Sequence, residues 1–227
     1  MGYGTLTPIL LLMGFNPIEV IPAVILTSAI LSLFAGFLHH GFDNIDFLVK
    51  KNPKILTTLI SFGIVAIILG ALVAVNIPEG ILRVYIGLLI IGIGISILMY
   101  HKKRPFSYKR LMVFASLASF NKGVYGGGYG PVLAGGQIVS GVEGKHAVGV
   151  TALSEGVVST FGFLAYLLIS GGANMNWPLI ISLLIGGTLS TPVAVLFVKR
   201  FHPKKFRYMV GAVSIVLGLI IVLQMFG

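Results

Sequence analysis

Long apolar runs alternate with short polar connections along this chain, and the runs exceed what the core helices of a soluble domain need. A hydrocarbon layer of about 30 Å takes about 20 residues of α-helix to cross. Stretches without a charged residue occupy 20–38, 55–78, 84–100 and 208–227, and a longer one covers 156–198. The longer stretch is divided by the polar turn Ser170-Gly-Gly-Ala-Asn-Met-Asn-Trp-Pro178, which carries the lone Trp177 where an interface aromatic belongs. The pattern predicts full-length helices at 18–41, 56–76, 79–100, 145–170, 177–199 and 205–226. No cleavable signal peptide is expected, since Met1 is followed by Gly-Tyr-Gly rather than a basic segment.

Lysines and arginines fall into alternate connections. The loop 39–54 holds Lys50, Lys51 and Lys54; 101–110 holds Lys102, Lys103, Arg104, Lys109 and Arg110; 199–207 holds Lys199, Arg200, Lys204, Lys205 and Arg207. The connections 75–79 and 171–177 carry neither residue type. The positive-inside rule puts the first three loops in the cytoplasm and the last two outside.

That assignment forces segment 110–144 to begin and end on the cytoplasmic side, so it must enter the membrane and return. Its composition agrees: an apolar arm at 111–120, a glycine-rich bend at 121–130 (Asn-Lys-Gly-Val-Tyr-Gly-Gly-Gly-Tyr-Gly), and a second apolar arm at 131–139. Arms of about 10–12 helical residues reach about 15–18 Å, roughly half the core. A bend at that depth has to be buried in protein or line a polar cavity. The expectation is a re-entrant hairpin that marks a site.

Composition sharpens the class. Of 227 residues, 56% are hydrophobic and 10% charged, and the mean hydropathy is +1.02, too apolar for a soluble globule of this size. There is no cysteine, which removes disulfides, thiolate metal sites and thiol redox chemistry. The net charge of +10 would suggest nucleic acid in a soluble protein. Here the cations sit in short loops, so no nucleic-acid partner is expected.

The chain also resembles itself. Gly2-Tyr-Gly4 matches Gly128-Tyr-Gly130, each followed by proline (Pro8, Pro131) and then glycine (Gly14, Gly141); Ala23-Val-Ile-Leu-Thr-Ser28 matches Ala147-Val-Gly-Val-Thr-Ala152. By the charge map, helix 18–41 runs inward and its counterpart 145–170 runs outward. The halves, 1–104 and 105–227, therefore read as inverted repeats forming one integral membrane domain, the plan of secondary transporters with a site at the repeat interface. The first repeat opens almost inside its bend, at Met1, without the entering arm that 111–120 supplies in the second.

These paired elements, each a Gly-x-Gly bend followed by proline and later an Ala-Val-x-x-Thr helix, resemble the TauE/SafE sulfite exporter family (the toluene sulfonate uptake permease group). The residues that carry the likeness are Met1-Gly-Tyr-Gly-Thr-Leu-Thr-Pro8 with 23–28, and Gly126-Gly-Gly-Tyr-Gly-Pro131 with 147–152. The resemblance implies transport of small sulfur-containing or organic anions such as sulfite or sulfonates.

Lys122, at the tip of the hairpin, is the leading candidate for contact with an anion. An unpaired cation at mid-membrane costs at least about 3 kcal/mol, so it is expected to have a partner or a ligand. Backbone N–H groups of Gly127, Gly128, Tyr129 and Gly130, and the N-terminus of an arm starting at Pro131, would assist it. Glu155, about ten residues into helix 145–170, is the acidic residue best placed to pair with Lys122 or to take up a coupling proton. Thr27, Ser28 and Ser32 in one half, with Thr151, Ser154 and Ser159 in the other, offer hydroxyls at related depth, though such residues commonly serve helix packing. Asn121, Tyr3, Gly4 and Thr5, with Tyr125, complete the set around the bends.

Other features read as structure. His39, His40, Asp43 and Asp46 fall in one solvated loop, and Glu79 with Arg83 suits a surface pair. The glycines at 126–130 lack the Lys-Ser/Thr that a P-loop needs. The expected protein is thus an all-α polytopic membrane protein with no cofactor and no metal. Its partners would be a small anion and the bilayer, with a second copy of the chain left open. An anion channel is the rival, and an intramembrane enzyme a weaker one, since Lys122 and Glu155 are too few for a catalytic set.

Overall fold

The computed structural model describes residues 3–41, 53–99, 105–140, 142, 144–172, 175–200, 212 and 215–223. Within them the chain is helical and contains no strand. The elements are α1 (Tyr3–Leu12), α2 (Pro17–Gly41), α3 (Pro53–Asn76), α4 (Glu79–Met99), α5 (Tyr108–Tyr125), α6 (Tyr129–Val139), α7 (Gly144–Ser170) and α8 (Trp177–Arg200). Residues 215–223 form a further helical piece inside the predicted span 205–226, the rest of which, apart from Ala212, lies outside the described residues. The other predicted spans coincide with α2, α3, α4, α7 and α8 to within a few residues. Among the described residues, Pro17–Leu38, Lys54–Asn76 and Gly149–Ser170 are long and apolar enough to cross a membrane.

The broken hairpin differs from its sequence expectation. The first arm does not stop at residue 120 but continues to Tyr125, making α5 18 residues long, about 27 Å and close to a whole hydrocarbon layer. Asn121 and Lys122 are therefore helical. The bend shrinks to Gly126, Gly127 and Gly128, and α6 starts at Tyr129 rather than Pro131. Packing explains the longer arm. Gly123 and Gly70 bring α5 and α3 together, so that a Cβ on Gly70 would run into the Phe120 carbonyl and lie 3.0 Å from Gly123 Cα. The helix stops at Gly126, whose φ of 83° gives the left-handed cap and directs its N–H to the Lys122 carbonyl at 2.7 Å.

The N-terminal motif is corrected likewise: Tyr3, Gly4 and Thr5 form the first turn of α1 instead of a bend. Both α1 and α6 begin at the tyrosine of a Gly-Tyr-Gly, and the two helices touch.

The most extensive contacts are α3 with α5, α2 with α7, and α3 with α7. One apolar cluster gathers Leu10, Val20, Val24, Ile86, Tyr125, Tyr166 and Leu179. A second gathers Ile55, Leu59, Leu111, Ala115, Val150 and Val158. Along α5, Lys122 falls between Ala118 of the second cluster and Val124 of the first.

Contacts among the described residues group the connecting segments at two ends of the bundle. The Asn176 amide donates to Glu19 Oε2 (2.8 Å), and Arg83 Nη2 donates to the Phe15 carbonyl (3.3 Å), so the segments near 15–19, 83 and 176 share one end. At the other end, Ser107 N–H donates to the Ser140 carbonyl (2.9 Å), and Lys54, Thr57, Thr58 and Tyr108 line one cavity. The outer surface is apolar, with Phe37, Val65, Leu168, Leu189 and Leu223 among its exposed side chains. Such a surface suits lipid rather than water.

Candidate functional site

Lys122 sits in the last turn of α5, with the carbonyls of that turn around its base and the glycine cap just beyond. Its side chain is fully buried (0% exposed) and Glu155 nearly so (4%). Lys122 Nζ donates to Glu155 Oε1 at 2.8 Å. The same ammonium lies 5.8 Å from the centroid of the Tyr129 ring, within cation–π range. Glu155 comes from the middle of α7, so three helices converge: α5 brings the cation, α7 the carboxylate, α6 the aromatic face. Burying two full charges is costly unless they pair closely, and removing either one strands the other. An anion able to displace Glu155 would meet a buried cation there.

The neighbours are donors or anchors. Tyr129 Oη donates to Ser154 Oγ (3.2 Å), and Ser154 donates to the Thr151 carbonyl (3.0 Å). Tyr85 Oη donates to Asn121 Oδ1 (3.0 Å), leaving the Asn121 amide NH2 as the donor it can offer. Gly127, Gly128, Tyr129 and Gly130 are buried. The first bond of α6 runs from Val132 N–H to the Gly128 carbonyl (3.3 Å). Ahead of it, the N–H groups of Tyr129 and Gly130 have no helical carbonyl to bind, and Pro131 has no N–H at all. A buried lysine and, after the break in the chain, a helix N-terminus are groups of the kind that bind small anions.

The sequence-predicted residues thus divide. Lys122, Glu155, Tyr129 and Ser154 come together, with Gly127, Gly128 and Gly130 next to Tyr129 in the chain, whereas Asn121 meets Tyr85 of α4. Thr151 lies one turn from Glu155 on the same face of α7 and accepts from Gln137 Nε2 at 2.6 Å. Thr27 and Ser28 are buried on α2, where their hydroxyls donate to their own helix: Thr27 to the Ala23 carbonyl (2.9 Å) and Ser28 to the Ile25 carbonyl (2.9 Å). Ser28 Oγ also lies 3.5 Å from Ser159 Oγ, a link between α2 and α7. For Tyr3, Gly4 and Thr5 the backbone is described but the side-chain surroundings are not. Asp43 and Asp46, and the side chains of His39, His40 and Glu79, lie outside the described residues. Among the described residues no group of His, Asp or Glu is arranged to hold a metal.

Residues missed at the sequence level are Gln137, Tyr85 and Tyr166. Tyr166 Oη donates to the Gly123 carbonyl at 2.6 Å and so ties α7 to the last turn of α5. Gln137 was findable as the one amide side chain in the apolar arm 131–139. Nothing in the spacing of Tyr85 or Tyr166 sets them apart from packing aromatics.

A bundle of apolar helices, lipid-like outside and holding a buried ion pair at a helix break, defines a membrane-embedded protein with a polar centre. The chain belongs to the sulfite exporter TauE/SafE family, whose family model matches residues 1–221. It is 26% identical over 230 residues to the probable membrane transporter protein YtnM of Bacillus subtilis (strain 168), a match covering 96% of this chain and 75% of the relative. No solved structure matches the chain.

Proposed function

We propose that the protein is a secondary transporter moving small anions, sulfur-containing or organic, such as sulfite or sulfonates, across the cell membrane. One observation carries this reading: in a chain of the TauE/SafE family, a lysine lies fully buried against a glutamate at the break between α5 and α6. A fixed charge pair at such a site is costly and stabilises poorly, so a functional use accounts for it better than a structural one. The substrate class comes from the family description and suits the chemistry of the donors.

In this mechanism the anion takes Lys122 from Glu155, assisted by the Asn121 amide and the backbone N–H groups of Tyr129 and Gly130. Glu155, left without its cation, takes up the coupling proton. The halves 1–104 and 105–227 act as inverted repeats within a multi-pass domain, and their rocking exposes the site to one side and then the other. The start of α1 and α6 at matching tyrosines, and the sorting of loops to the two ends, support that plan. The protein works without a cofactor and is not an enzyme; the anion and the bilayer are its partners.

The test is flux of sulfite or a sulfonate in proteoliposomes. Accelerated exchange against internal substrate is expected for a carrier and not for a pore. A Lys122→Ala protein that transports normally would remove the lysine from the mechanism.

A further inference from the structure

The exchange of partners at Lys122 leaves one question of route, because Glu155 is nearly inaccessible and yet must gain and lose a proton. The groups facing it narrow the choice. Lys122 of α5 pairs with it directly, the Tyr129 ring of α6 lies 5.8 Å from that ammonium, and Tyr125 lies three residues beyond Lys122 on α5. The remaining helices packed on α7 are α2 and α3, whose described charged residues, Glu19 and Lys54, lie on terminal turns.

Along α7 the two directions differ. Toward Ser170, the next turn holds Ser159 beside Ser28, whose own proton is committed to the Ile25 carbonyl. Beyond it, Gly162 is covered by the side chains of Ile67 and Ile25. Toward Gly144, by contrast, the same face carries Thr151 one turn from Glu155 and the Ala147 carbonyl a turn further. Gln137 of α6 spans both, donating through Nε2 to Thr151 Oγ1 (2.6 Å) and to the Ala147 carbonyl (3.1 Å). These two bonds set the orientation of the amide, since a flipped group would press its oxygen against the Ala147 carbonyl. Gln137 Oε1 is left buried and without a hydrogen-bond partner among the described residues, a state that native structures seldom leave unused.

What is unfilled here is an acceptor. A carbonyl oxygen receives a water O–H and repels an anion, so this seam suits water and protons rather than substrate. Thr151, already accepting from Gln137, has no acceptor for its own hydroxyl proton among the described residues. We propose that Thr151 passes protons between Glu155 and the end of the bundle where α6 meets α7, with Gln137 holding Thr151 and the carrying water in line. This route is separate from the anion's. The inference rests on the anion-transport reading above. On uptake, a proton from water at that end moves along the water and Thr151 oxygens, each accepting one proton and releasing one, and comes to rest on the Glu155 carboxylate. The reverse sequence discharges it. Gln137 is a positioning residue and is not itself titrated.

The full chain is reconstituted with an internal pH dye, using methanesulfonate because it carries the same charge throughout. Net uptake, which needs proton transfer, is compared with counterflow, which does not. Gln137→Met is expected to slow net uptake and the accompanying pH change about tenfold while counterflow stays within about twofold. Thr151→Val is expected to slow net uptake similarly. Gln137→Glu, protonated in this setting, keeps an acceptor oxygen and the donor to Thr151, and is expected to retain net uptake. Equal loss of both fluxes in Gln137→Met, or loss of neither, would overturn the route, and so would failure of Gln137→Glu to restore net uptake. Net uptake by the unmodified chain without a pH change would overturn the proton route and leave the anion reading intact. Absence of counterflow with either methanesulfonate or sulfite would take both readings down.

Discussion

Helices α2 and α7 are of similar length, 25 and 27 residues, and both bury hydroxyl side chains along their middles, yet they use them differently. On α2, Thr27 and Ser28 turn their hydroxyls back onto their own carbonyls, which satisfies the group and commits its proton. On α7, Glu155 reaches Lys122 of α5, Ser154 receives Tyr129 of α6, Thr151 receives Gln137, and Tyr166 reaches α5. The matched Ala-Val-x-x-Thr register puts Leu31 of α2 opposite Glu155 of α7. Two helices that share a sequence motif therefore differ in chemistry: α2 is a polar-tolerant scaffold, whereas α7 with α5 and α6 forms a cross-linked polar centre.

The largest effect should come from unbalancing that centre. Lys122→Ala or Glu155→Ala alone leaves a buried charge without its partner and is expected to cost about 3–5 kcal/mol. Transport should fall about a hundredfold or more in either. The paired change Lys122→Met with Glu155→Leu removes both charges, so thermal unfolding in detergent should return most of the stability while counterflow stays absent. Recovery of neither would mean that the pair is needed for the fold itself. Normal transport by the double variant would move the site elsewhere.

Next in size is the α3–α5 contact that carries Lys122 to its place. Gly70→Ala puts a methyl against the Phe120 carbonyl and the Gly123 backbone, neither of which yields as a flexible side chain would. Overpacking of this kind costs about 1–3 kcal/mol. The unfolding midpoint should drop and transport with it, because the last turn of α5 must move. The control, Gly186→Ala, meets nothing within 4 Å among the described residues and should leave both unchanged. Equal effects at the two positions would mean that helix propensity, not close approach, sets the outcome. Smaller again is Tyr129→Phe, which keeps the ring near Lys122 but removes the bond to Ser154, for about 1 kcal/mol and a transport loss of several-fold, read by the same two assays.

Much of the fold was legible because hydrophobic length and loop charge are strong, additive signals. Helices α2, α3, α4, α7 and α8 follow directly from runs of apolar residues, and the break near 126–128 follows from its glycines. The exact stopping point was not legible. Asn121, Lys122 and Gly123 look like loop residues by composition, but packing against Gly70 makes helix the better conformation there, a tertiary override of local preference. Lys122 and Glu155 stood out as isolated charges in apolar surroundings. Gln137 did not, because one amide in an apolar arm gains meaning only when the structure brings it to Thr151. The division between α2 and α7 was also hidden, since a threonine in sequence does not reveal whether its proton is committed to its own helix.

That division yields the smallest predicted effect and the sharpest way to break the comparison. Thr27→Val and Ser28→Ala remove hydroxyls that donate within α2, and helix carbonyls that lose such a bond keep their main-chain partners. Each change is expected to alter stability by no more than about 0.5 kcal/mol and transport by less than about twofold. Glu155→Gln, made beside them, keeps the shape of the α7 residue and removes only its charge, so a large loss there with little change at Thr27 and Ser28 would locate the chemistry on the α7 side. A transport loss at Thr27 as deep as that at Glu155, with stability unchanged, would mean that the hydroxyl turns to the substrate during the cycle. The site would then draw on both helices, and the asymmetry between them would belong to one state of the transporter rather than to its mechanism.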